Sequence, residues 1–386
     1  MTRIAGVLLL SLPLVVLADG ERLSPYGLPE PARVADPTKD GAPAGFEFLK
    51  QPGDEPQAGK VGLHVPPGAV FQIKKRSMTN GGDGVVTLRL AKSANRPART
   101  IELEGKASAD YNEMRRCAAD RAAGSSYPPK EPGVPVVPKG TLVIVGGGGM
   151  TKDIAERFLA AGGGADGHFI ALPVSMPDPI NVKAEEGFLR RLGAKNVTVI
   201  AAREQKDLEA PEVIKAFEKA TGVWFGGGRQ WNFMDAYEGT KLQPLFRGVL
   251  DRGGVIGGSS AGATIQGDYM VRGAPAGPNI MMCEGYERAL GFLPGVGIDQ
   301  HFSARNRFKD MTGFMKAYPR FLGIGLDEAT AIVVQGSTAE VLGRGKVHFY
   351  DRRKPAKDGE PDYDAFPAGT KYDLVNRKAI DAPPAK

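Results

Sequence analysis

The chain has 386 residues, of which 42% are apolar and 24% are charged, and its formal net charge is +6 at pH 7. This length and apolar content are enough for a sizeable core, in one large domain with extensions or in two modest domains, and they indicate a globular protein. The positive charge is spread along the chain without the basic, aromatic-interleaved blocks of nucleic-acid-binding proteins, so we expect no nucleic-acid partner.

Residues 1–18 have the pattern of a cleaved export signal. Arg3 supplies the positive start, residues 4–17 are almost wholly apolar, and Ala18 completes a site with small residues at its first and third positions. We therefore expect a periplasmic or extracellular protein with no membrane span after signal removal, because no later apolar run is long enough. An uncleaved N-terminal anchor is the alternative, but the apolar segment is short for a transmembrane helix.

Residues 19–124 form an N-terminal region without a sustained pattern. Up to about residue 60 the chain is rich in proline, glycine and charge, which predicts an extended or poorly ordered segment. Apolar and polar residues alternate over 68–104 around a glycine-rich turn, which predicts a small β element. Residues 109–123 favour a helix. Residues 125–139, with five prolines, indicate a linker between domains.

Residues 140–377 change to short apolar strands that alternate with amphipathic helices, followed by a C-terminal tail at 378–386. The predicted strands lie at residues 141–149, 168–174, 196–202, 223–228, 255–258 and 330–334. The predicted helices lie at residues 151–163, 185–194 and 211–220. This alternation predicts an α/β domain whose mostly parallel, doubly wound sheet carries helices on both faces. Ligands bind outside the carboxyl ends of the strands in such sheets.

Two glycine-rich turns follow predicted strands. Gly146 to Gly149 does not fit a dinucleotide motif, because Thr151 stands where the third glycine is required, and it does not fit a phosphate loop. We interpret these glycines as a tight strand-to-helix turn. The second turn, Gly258-Ser259-Ser260-Ala261-Gly262, fits G-x-S-x-G, in which small neighbours allow a strained turn to expose a nucleophilic hydroxyl. A turn that serves packing alone is the alternative.

A serine nucleophile needs a base, and the chain has four histidines. His64, His168 and His348 lie in contexts typical of structural or exposed residues. His301 belongs to the polar cluster Asp299-Gln300-His301, which ends an apolar stretch and is followed by Arg305 and Arg307. Such a cluster is costly beside a strand end unless it has a function.

The base in turn needs an acid that orients it, and Asp327 and Glu328 are both candidates on the residues alone. The serine, the imidazole and the carboxylate must converge at one rim of the sheet.

Several of these stretches together resemble the cyanophycinase family of Ser-His-Glu peptidases, which includes the aspartyl dipeptidases. The matching pieces are FGGGRQ (225–230), GGSSAGA (257–263), LGFLPGVGIDQHFSARNR (290–307), GIGLDEATAI (323–332), VLGRGKVHFYD (341–351) and AGTKYDL (368–374). The resemblance covers roughly residues 140–377. It implies the flavodoxin-like architecture of class I glutamine amidotransferases, a serine-type peptidase activity without metal or cofactor, and a homodimer as a reasonable assembly.

The resemblance also implies a set of site residues. Ser260 would be the nucleophile, His301 the general base and acid, and Glu328 the orienting carboxylate. The N–H groups of Gly228 and Ala261 would form the oxyanion hole. The substrate pocket would be shaped by Arg229, Gln230, Asp299, Gln300, Arg305 and Arg307.

The chain departs from the family pattern at three positions. Arg229 stands where the family has an acid, Asn232 where it has a base, and Asp310 where a third arginine is expected. These changes in charge put cyanophycin in doubt as the substrate and leave the hydrolytic residues intact. We expect hydrolysis of a peptide or isopeptide bond at an aspartyl residue, of the β type. The alternatives are a non-catalytic binding protein on the same fold and a serine esterase.

The two cysteines, Cys117 and Cys283, lie in regions assigned to different domains. Export would permit a bridge between them, but their spacing does not require one. Two thiols, at least one of them buried, is the simpler expectation, and the pairing stays open.

Overall fold

The computed structural model describes Asp120 and residues 123–381 apart from 177–179, 204, 275–277, 284 and 354–359, together with five short strands nearer the N-terminus. Those five are β1 (Phe46–Glu47), β2 (Val61–Gly62), β3 (Val70–Lys74), β4 (Val85–Leu90) and β5 (Arg99–Glu104). Strands β3, β4 and β5 form an antiparallel sheet. The export signal, His64, Cys117 and most of the helix predicted at 109–123 lie outside the described residues.

Five parallel strands form one side of a nine-stranded sheet, in the spatial order β6-β10-β9-β7-β8, with β8 at the edge. They are β6 (Val137–Val145), β7 (His168–Leu172), β8 (Asn196–Val199), β9 (Gly222–Phe225) and β10 (Val255–Ser259). Four antiparallel strands extend the sheet beyond β6, namely β13 (Thr330–Gly336), β14 (Thr338–Gly343), β17 (Lys371–Asp373) and β18 (Lys378–Asp381). The prediction of a mostly parallel α/β sheet is confirmed.

Helices cover both faces of this sheet, as the doubly wound prediction requires. They are α1 (Lys152–Ala161), α2 (Val182–Arg191), α3 (Gln205–Leu208), α4 (Pro211–Lys219), α5 (Gln230–Tyr237), α6 (Leu242–Asp251), α7 (Ala261–Thr264) and, beside a second sheet, α8 (Phe308–Ala317). Helices α1 and α2 pack on one face, and α4, α5, α6 and α7 pack on the other.

Strand β9 shows how alternation divides the core between the two faces. Successive side chains of a strand point to opposite faces. Trp224 accordingly packs 5.1 Å from Phe158 of α1, measured between ring centroids. The next residue, Phe225, packs 5.3 Å from Phe246 of α6 and belongs to the larger cluster. Because both faces are buried, β9 has no polar side chain, which explains its continuously apolar sequence.

A second sheet of four strands adjoins the first and was missed by the sequence analysis. It contains β11 (Val296–Asp299), β12 (Leu322–Leu326), β15 (Lys346–Tyr350) and β16 (Asp364–Pro367), in that spatial order. Strands β11 and β12 are parallel and the remaining pairs are antiparallel. Helix α8 packs against it through Met311, Phe314 and Met315 in a third apolar cluster.

The ends of the sheet differ from the sequence prediction. Strand β6 begins at Val137, inside the predicted linker, and contains Pro138. Proline lacks an N–H donor, but it is tolerated here because pairing with β10 begins only at Thr141. Strand β18 lies in the predicted tail and pairs with β17, since a turn closed by the Asp373 carboxylate reverses the chain.

The proline-rich segment packs on the domain that follows it. Tyr127 is buried, lies 6.1 Å from the ring of Tyr269 and receives the guanidinium of Arg288 over its ring. Arg288 also pairs with Asp120 at 3.0 Å. These contacts place the segment against the α/β domain that follows it. In the described part of the chain, no helix is long and apolar enough to cross a membrane.

Candidate active site

Ser260 lies in a sharp turn between β10 and α7, with a φ of 56° and a ψ of −112°. A non-glycine residue in this conformation is strained, and such strain clusters at functional sites. Packing requires the glycines on both sides. A Cβ at Gly258 would lie 2.3 Å from the carbonyl oxygen of Gly262, and a Cβ at Gly262 would lie 2.1 Å from that of Phe225. The pattern G-x-S-x-G therefore identified a real strained turn.

Two short contacts join Ser260, His301 and Glu328. Ser260 Oγ lies 2.9 Å from His301 Nε2, and His301 Nδ1 lies 2.6 Å from Glu328 Oε1. The other candidate carboxylate, Asp327, contacts His348 and not His301.

The three side chains come from two sheets. Ser260 follows β10 of the nine-stranded sheet, whereas His301 follows β11 and Glu328 follows β12 of the four-stranded sheet. The expectation of a single sheet rim is therefore wrong. The side chains still converge because the carboxyl ends of parallel strands in both sheets meet at the same place.

Three consecutive carbonyls at the end of β6 hold the turns that carry this trio. The Val145 carbonyl accepts a hydrogen bond from Ser260 N at 3.0 Å, and the Gly146 carbonyl accepts one from His301 N at 2.7 Å. The Gly147 carbonyl accepts one from Ala329 N, next to Glu328, at 2.7 Å. Ser260, His301 and Ala329 all have a positive φ. The three unusual backbone turns are thus each anchored to the same short segment, and we refer to carbonyls 145–147 as the backbone anchor.

The glycines of this segment make room for the trio. A Cβ at Gly147 would lie 2.3 Å from His301 Cε1, and a Cβ at Gly148 would lie 2.6 Å from Glu328 Cβ. A Cβ at Gly146 would lie 2.1 Å from the carbonyl oxygen of Asp327. The sequence pattern indicated a tight turn here and did not reveal that these glycines contact the site. The signal was a glycine run longer than a strand-to-helix turn needs.

Electrostatics favour a neutral imidazole at His301. Burial has the largest effect on the pKa of His301 and lowers it below its usual value, and the charges of Arg305 and Arg307 lower it further. The hydrogen bond to Glu328 and the charge of that carboxylate act in the opposite direction. The imidazole is therefore available as a proton acceptor at neutral pH.

A glycine loop after β9 lies against Ser260. A Cβ at Gly227 would be 3.7 Å from Ser260 Cβ, and Gly228 has a φ of 136° with no room for a side chain beside Ser175. Buried Ser175, which the sequence analysis missed, holds this loop: its Oγ donates to the Gly227 carbonyl at 2.7 Å. Within the described residues, the N–H groups of Gly228 and Ala261 donate no hydrogen bond to protein. They stay available for a ligand.

A buried ion network lies behind His301. Asp299 is fully buried and accepts hydrogen bonds from Arg307 at 2.7 Å and from Arg272 at 2.9 Å. Arg272 also donates to Asp310 at 2.8 Å. Burial lowers the pKa of Arg307 to about 10, although the charge of Asp299 raises it. Asp299 and Arg307 were expected to shape the substrate pocket directly. They lie inside the protein instead, because a buried charge requires a buried partner.

The two glutamines are also buried and paired. Gln230 Nε2 donates to the Val271 carbonyl at 3.0 Å, and Gln300 Oε1 accepts from Arg307 at 3.1 Å. Arg272, which links the network to Asp310, was missed by the sequence analysis. Its signal was a single arginine between apolar residues and a glycine in the stretch Tyr269 to Gly273.

Arg229 and Arg305 differ from the other arginines near the site. Arg229 is half-buried and donates to the Ala274 carbonyl at 3.2 Å. Burial and then the charge of nearby Arg305 lower the pKa of Arg229. Arg305 is exposed, and its backbone N–H bonds the carbonyl of His301 at 3.0 Å. Among the described residues, no carboxylate forms an ion pair with either guanidinium. The charge of Arg305 therefore acts on the histidine, and Arg229 lies near Arg305.

The family model "Peptidase family S51" matches residues 142–342, which include Ser260, His301 and Glu328. A cyanophycinase of Trichormus variabilis is 30% identical over 231 residues, which cover 57% of this chain and 77% of that protein. A cyanophycinase of Geminocystis herdmanii is 30% identical over 221 residues, which cover 55% of this chain and 81% of that protein. Among solved structures, a peptidase from an acI-B1 Actinobacterium is 20% identical with a TM-score of 0.48, covering 61% of this chain and 97% of that one.

Two glycine substitutions separate backbone strain from displacement of the imidazole. Gly147 and Gly149 have φ values of 100° and 94°, so an alanine at either position adds strain of about 1–2 kcal/mol. A Cβ at 147 would collide with His301, whereas nothing lies within 4 Å of a Cβ at 149. We expect Gly147→Ala to abolish labelling of Ser260 by a fluorophosphonate and Gly149→Ala to retain it. Unfolding midpoints in urea would show whether both variants are folded. Equal labelling of two folded variants would contradict this account.

Proposed function

Since the chain belongs to peptidase family S51 and is a serine-type peptidase, we propose that it hydrolyses a peptide or isopeptide bond at an aspartyl residue through an acyl-enzyme on Ser260. The observation that carries this proposal is the pair of contacts in series, 2.9 Å from Ser260 to His301 and 2.6 Å from His301 to Glu328. A hydroxyl, an imidazole and a carboxylate in this order form the arrangement that activates serine for acyl transfer.

In the first half of the reaction, Ser260 Oγ attacks the carbonyl carbon of the scissile bond while its proton passes to His301 Nε2. Glu328 accepts the Nδ1–H of the imidazole, which keeps the correct tautomer and stabilises the imidazolium that forms. His301 then gives the proton to the leaving amine, and the acyl group stays on Ser260. In the second half, water attacks the acyl-enzyme with His301 again as base, and the acid product leaves.

The oxyanion of each tetrahedral intermediate would be held by the N–H groups of Gly228 and Ala261. Two observations support this role: both N–H groups are unused by the described protein acceptors, and Ala261 directly follows the nucleophile at the start of α7. Donors of this kind act where negative charge develops, and removing one typically costs about 10²–10³ in rate.

The substrate class is inferred from the relatives and from the charged side chains near the site. The relatives named above are cyanophycinases, which favours an aspartate-linked isopeptide of the β type. Arg305 lies near His301 and Arg229 lies near Arg305, and neither has a carboxylate partner among the described residues, so a carboxylate on the substrate would pair with them. Asp310 is already paired with Arg272, which offsets its negative charge. A short aspartyl peptide with a free carboxylate fits these charges better than a polymer rich in arginine.

A substrate screen tests this proposal. We expect the mature protein to hydrolyse a β-aspartyl dipeptide faster than an α-aspartyl dipeptide or cyanophycin, and to lose rate when the substrate carboxylate is blocked as an amide. Ser260→Ala should abolish all turnover and the stoichiometric labelling by a fluorophosphonate. Folded wild-type protein that is neither labelled nor active on any of the three would exclude the proposed mechanism.

The pH profile provides a second test. Because burial lowers the pKa of His301, the acid limb of kcat/KM should lie below about pH 6.5, the value of an unperturbed histidine. Glu328→Gln removes the two effects that raise this pKa, so the acid limb should move to still lower pH while the rate falls on the order of 10⁴-fold. An acid limb that moves to higher pH in Glu328→Gln would rule out this electrostatic account.

We also propose that the protein is exported, with support from the apolar run and small-residue site in residues 1–18. Cleavage after Ala18 would leave a mature chain that begins at Asp19, which intact-mass measurement of the secreted protein can detect. Ala18→Arg should block cleavage and retain the precursor mass. A secreted protein that still carries residues 1–18 would contradict this proposal.

A further inference from the structure

A second polar cluster lies directly behind the candidate catalytic residues. His348 Nε2 lies 3.2 Å from Asp327 Oδ1 and 3.3 Å from Ser303 Oγ. The Asp327 carboxylate also accepts hydrogen bonds from Ser303 N at 3.1 Å and from Lys346 N at 3.0 Å. His348 is 4% exposed. We refer to Ser303, Asp327 and His348 as the rear cluster.

The rear cluster joins the chain segments that carry the base and its carboxylate. Ser303 lies two residues after His301, and Asp327 directly precedes Glu328. His348 lies on β15, opposite Gly325 of the neighbouring strand β12. The cluster therefore fixes the distance between two turns whose side chains must stay 2.6 Å apart.

The surroundings of His348 fix the tautomer and the orientation of its imidazole. Asp327 is an acceptor only, so Nε2 carries the hydrogen that this carboxylate receives. Nδ1 is buried and has no hydrogen-bond partner among the described residues. The ring packs among Phe302, Phe308 and Tyr363 at centroid distances of 5.2 to 5.3 Å. A single tautomer in an aromatic enclosure gives the imidazole one orientation.

The partner carboxylate remains charged over the whole working range. Burial would raise the pKa of Asp327, but hydrogen bonds from His348, Ser303 and Lys346 outweigh it and lower the pKa to about 2. Hydrogen bonds to an ionised acceptor are stronger than those between neutral groups. The rear cluster is therefore a rigid connection between strand β15 and both catalytic turns.

We infer that His348, through Asp327 and Ser303, is a positioning residue that holds the Glu328 carboxylate in line with the His301 imidazole. This inference rests on the proposed function, because it assigns His348 a role in the same reaction. His348 does not contact Ser260 or exchange a proton with substrate. It acts through the backbone of residues 301–303 and 327–328.

Substitution of His348 tests the inference by a change in rate with unchanged substrate binding. Gln can present an N–H donor near the position of Nε2, whereas Leu cannot. We expect His348→Leu to lower kcat on the order of 10²-fold, the effect of a misplacement of about 1 Å, while KM changes little. His348→Gln should recover most of the rate. His168→Leu, at an exposed histidine at the start of β7, is the matched control and should behave as wild type.

The pH profile distinguishes positioning from a purely structural role. If Glu328 loses its alignment, the hydrogen bond that raises the pKa of His301 weakens, while burial and the charges of Arg305 and Arg307 still lower that pKa. The acid limb of kcat/KM should therefore shift to lower pH in His348→Leu. In a Glu328→Gln background, His348→Leu should have little further effect on kcat. If His348→Leu does not fold, Asp327→Asn can take its place, because it keeps the side-chain shape, and it should show the same shift of the acid limb.

The outcomes are separable. Wild-type protein without activity or fluorophosphonate labelling overturns the proposed function and this inference together. If the wild type is active and His348→Leu has the same kcat, this inference alone is overturned. The same holds if the rate of His348→Leu falls only in proportion to its folded fraction and its acid limb does not shift. Full additivity with Glu328→Gln does so as well, because residues that act through one another are not additive.

Discussion

The site depends on hydrogen bonds from three strained turns to three consecutive carbonyls. The backbone anchor at carbonyls 145–147 accepts an N–H from Ser260, from His301 and from Ala329. Each donor has a positive φ, a conformation that a non-glycine residue keeps only when its surroundings require it. Because all three turns bind one segment, the end of strand β6 sets the relative positions of Ser260, His301 and Glu328, although none of the three lies on that strand.

Charge burial provides a second layer of support behind the anchor. Asp299, paired with Arg272 and Arg307, precedes the turn of His301, and the rear cluster of Ser303, Asp327 and His348 connects the segment after it to the segment before Glu328. Removal of one partner from such a network leaves an uncompensated buried charge, which is more costly than the pair itself is stabilising. These groups therefore constrain the turns, whereas Arg229 and Arg305 have no carboxylate partner among the described residues.

Residue patterns predicted the parts of the protein that depend on near neighbours. The apolar runs of β7, β9 and β10 lie where they were expected, and the frame of small residues around Ser260 predicted its strained turn, because sterics act within a few residues. The choice of Glu328 over Asp327 as the partner of His301 came only from the family resemblance, because the residues alone left both carboxylates open. The burial of Asp299 and Arg307 could not be predicted, since a polar cluster at a strand end has the same pattern whether it faces a pocket or another charge.

By itself the sequence determined an α/β chain with a serine on a strained turn, a histidine in a polar cluster that ends an apolar stretch, and two adjacent carboxylates further along the chain. Only the tertiary structure decided that these strands belong to two sheets, that Glu328 contacts His301 while Asp327 contacts His348, and that Gly147 makes room for the imidazole. The physical reason is the separation along the chain over which each effect acts. Periodicity and turn sterics act between residues that are close along the chain, whereas the contacts that align the site join segments separated by 27 to 41 residues or more.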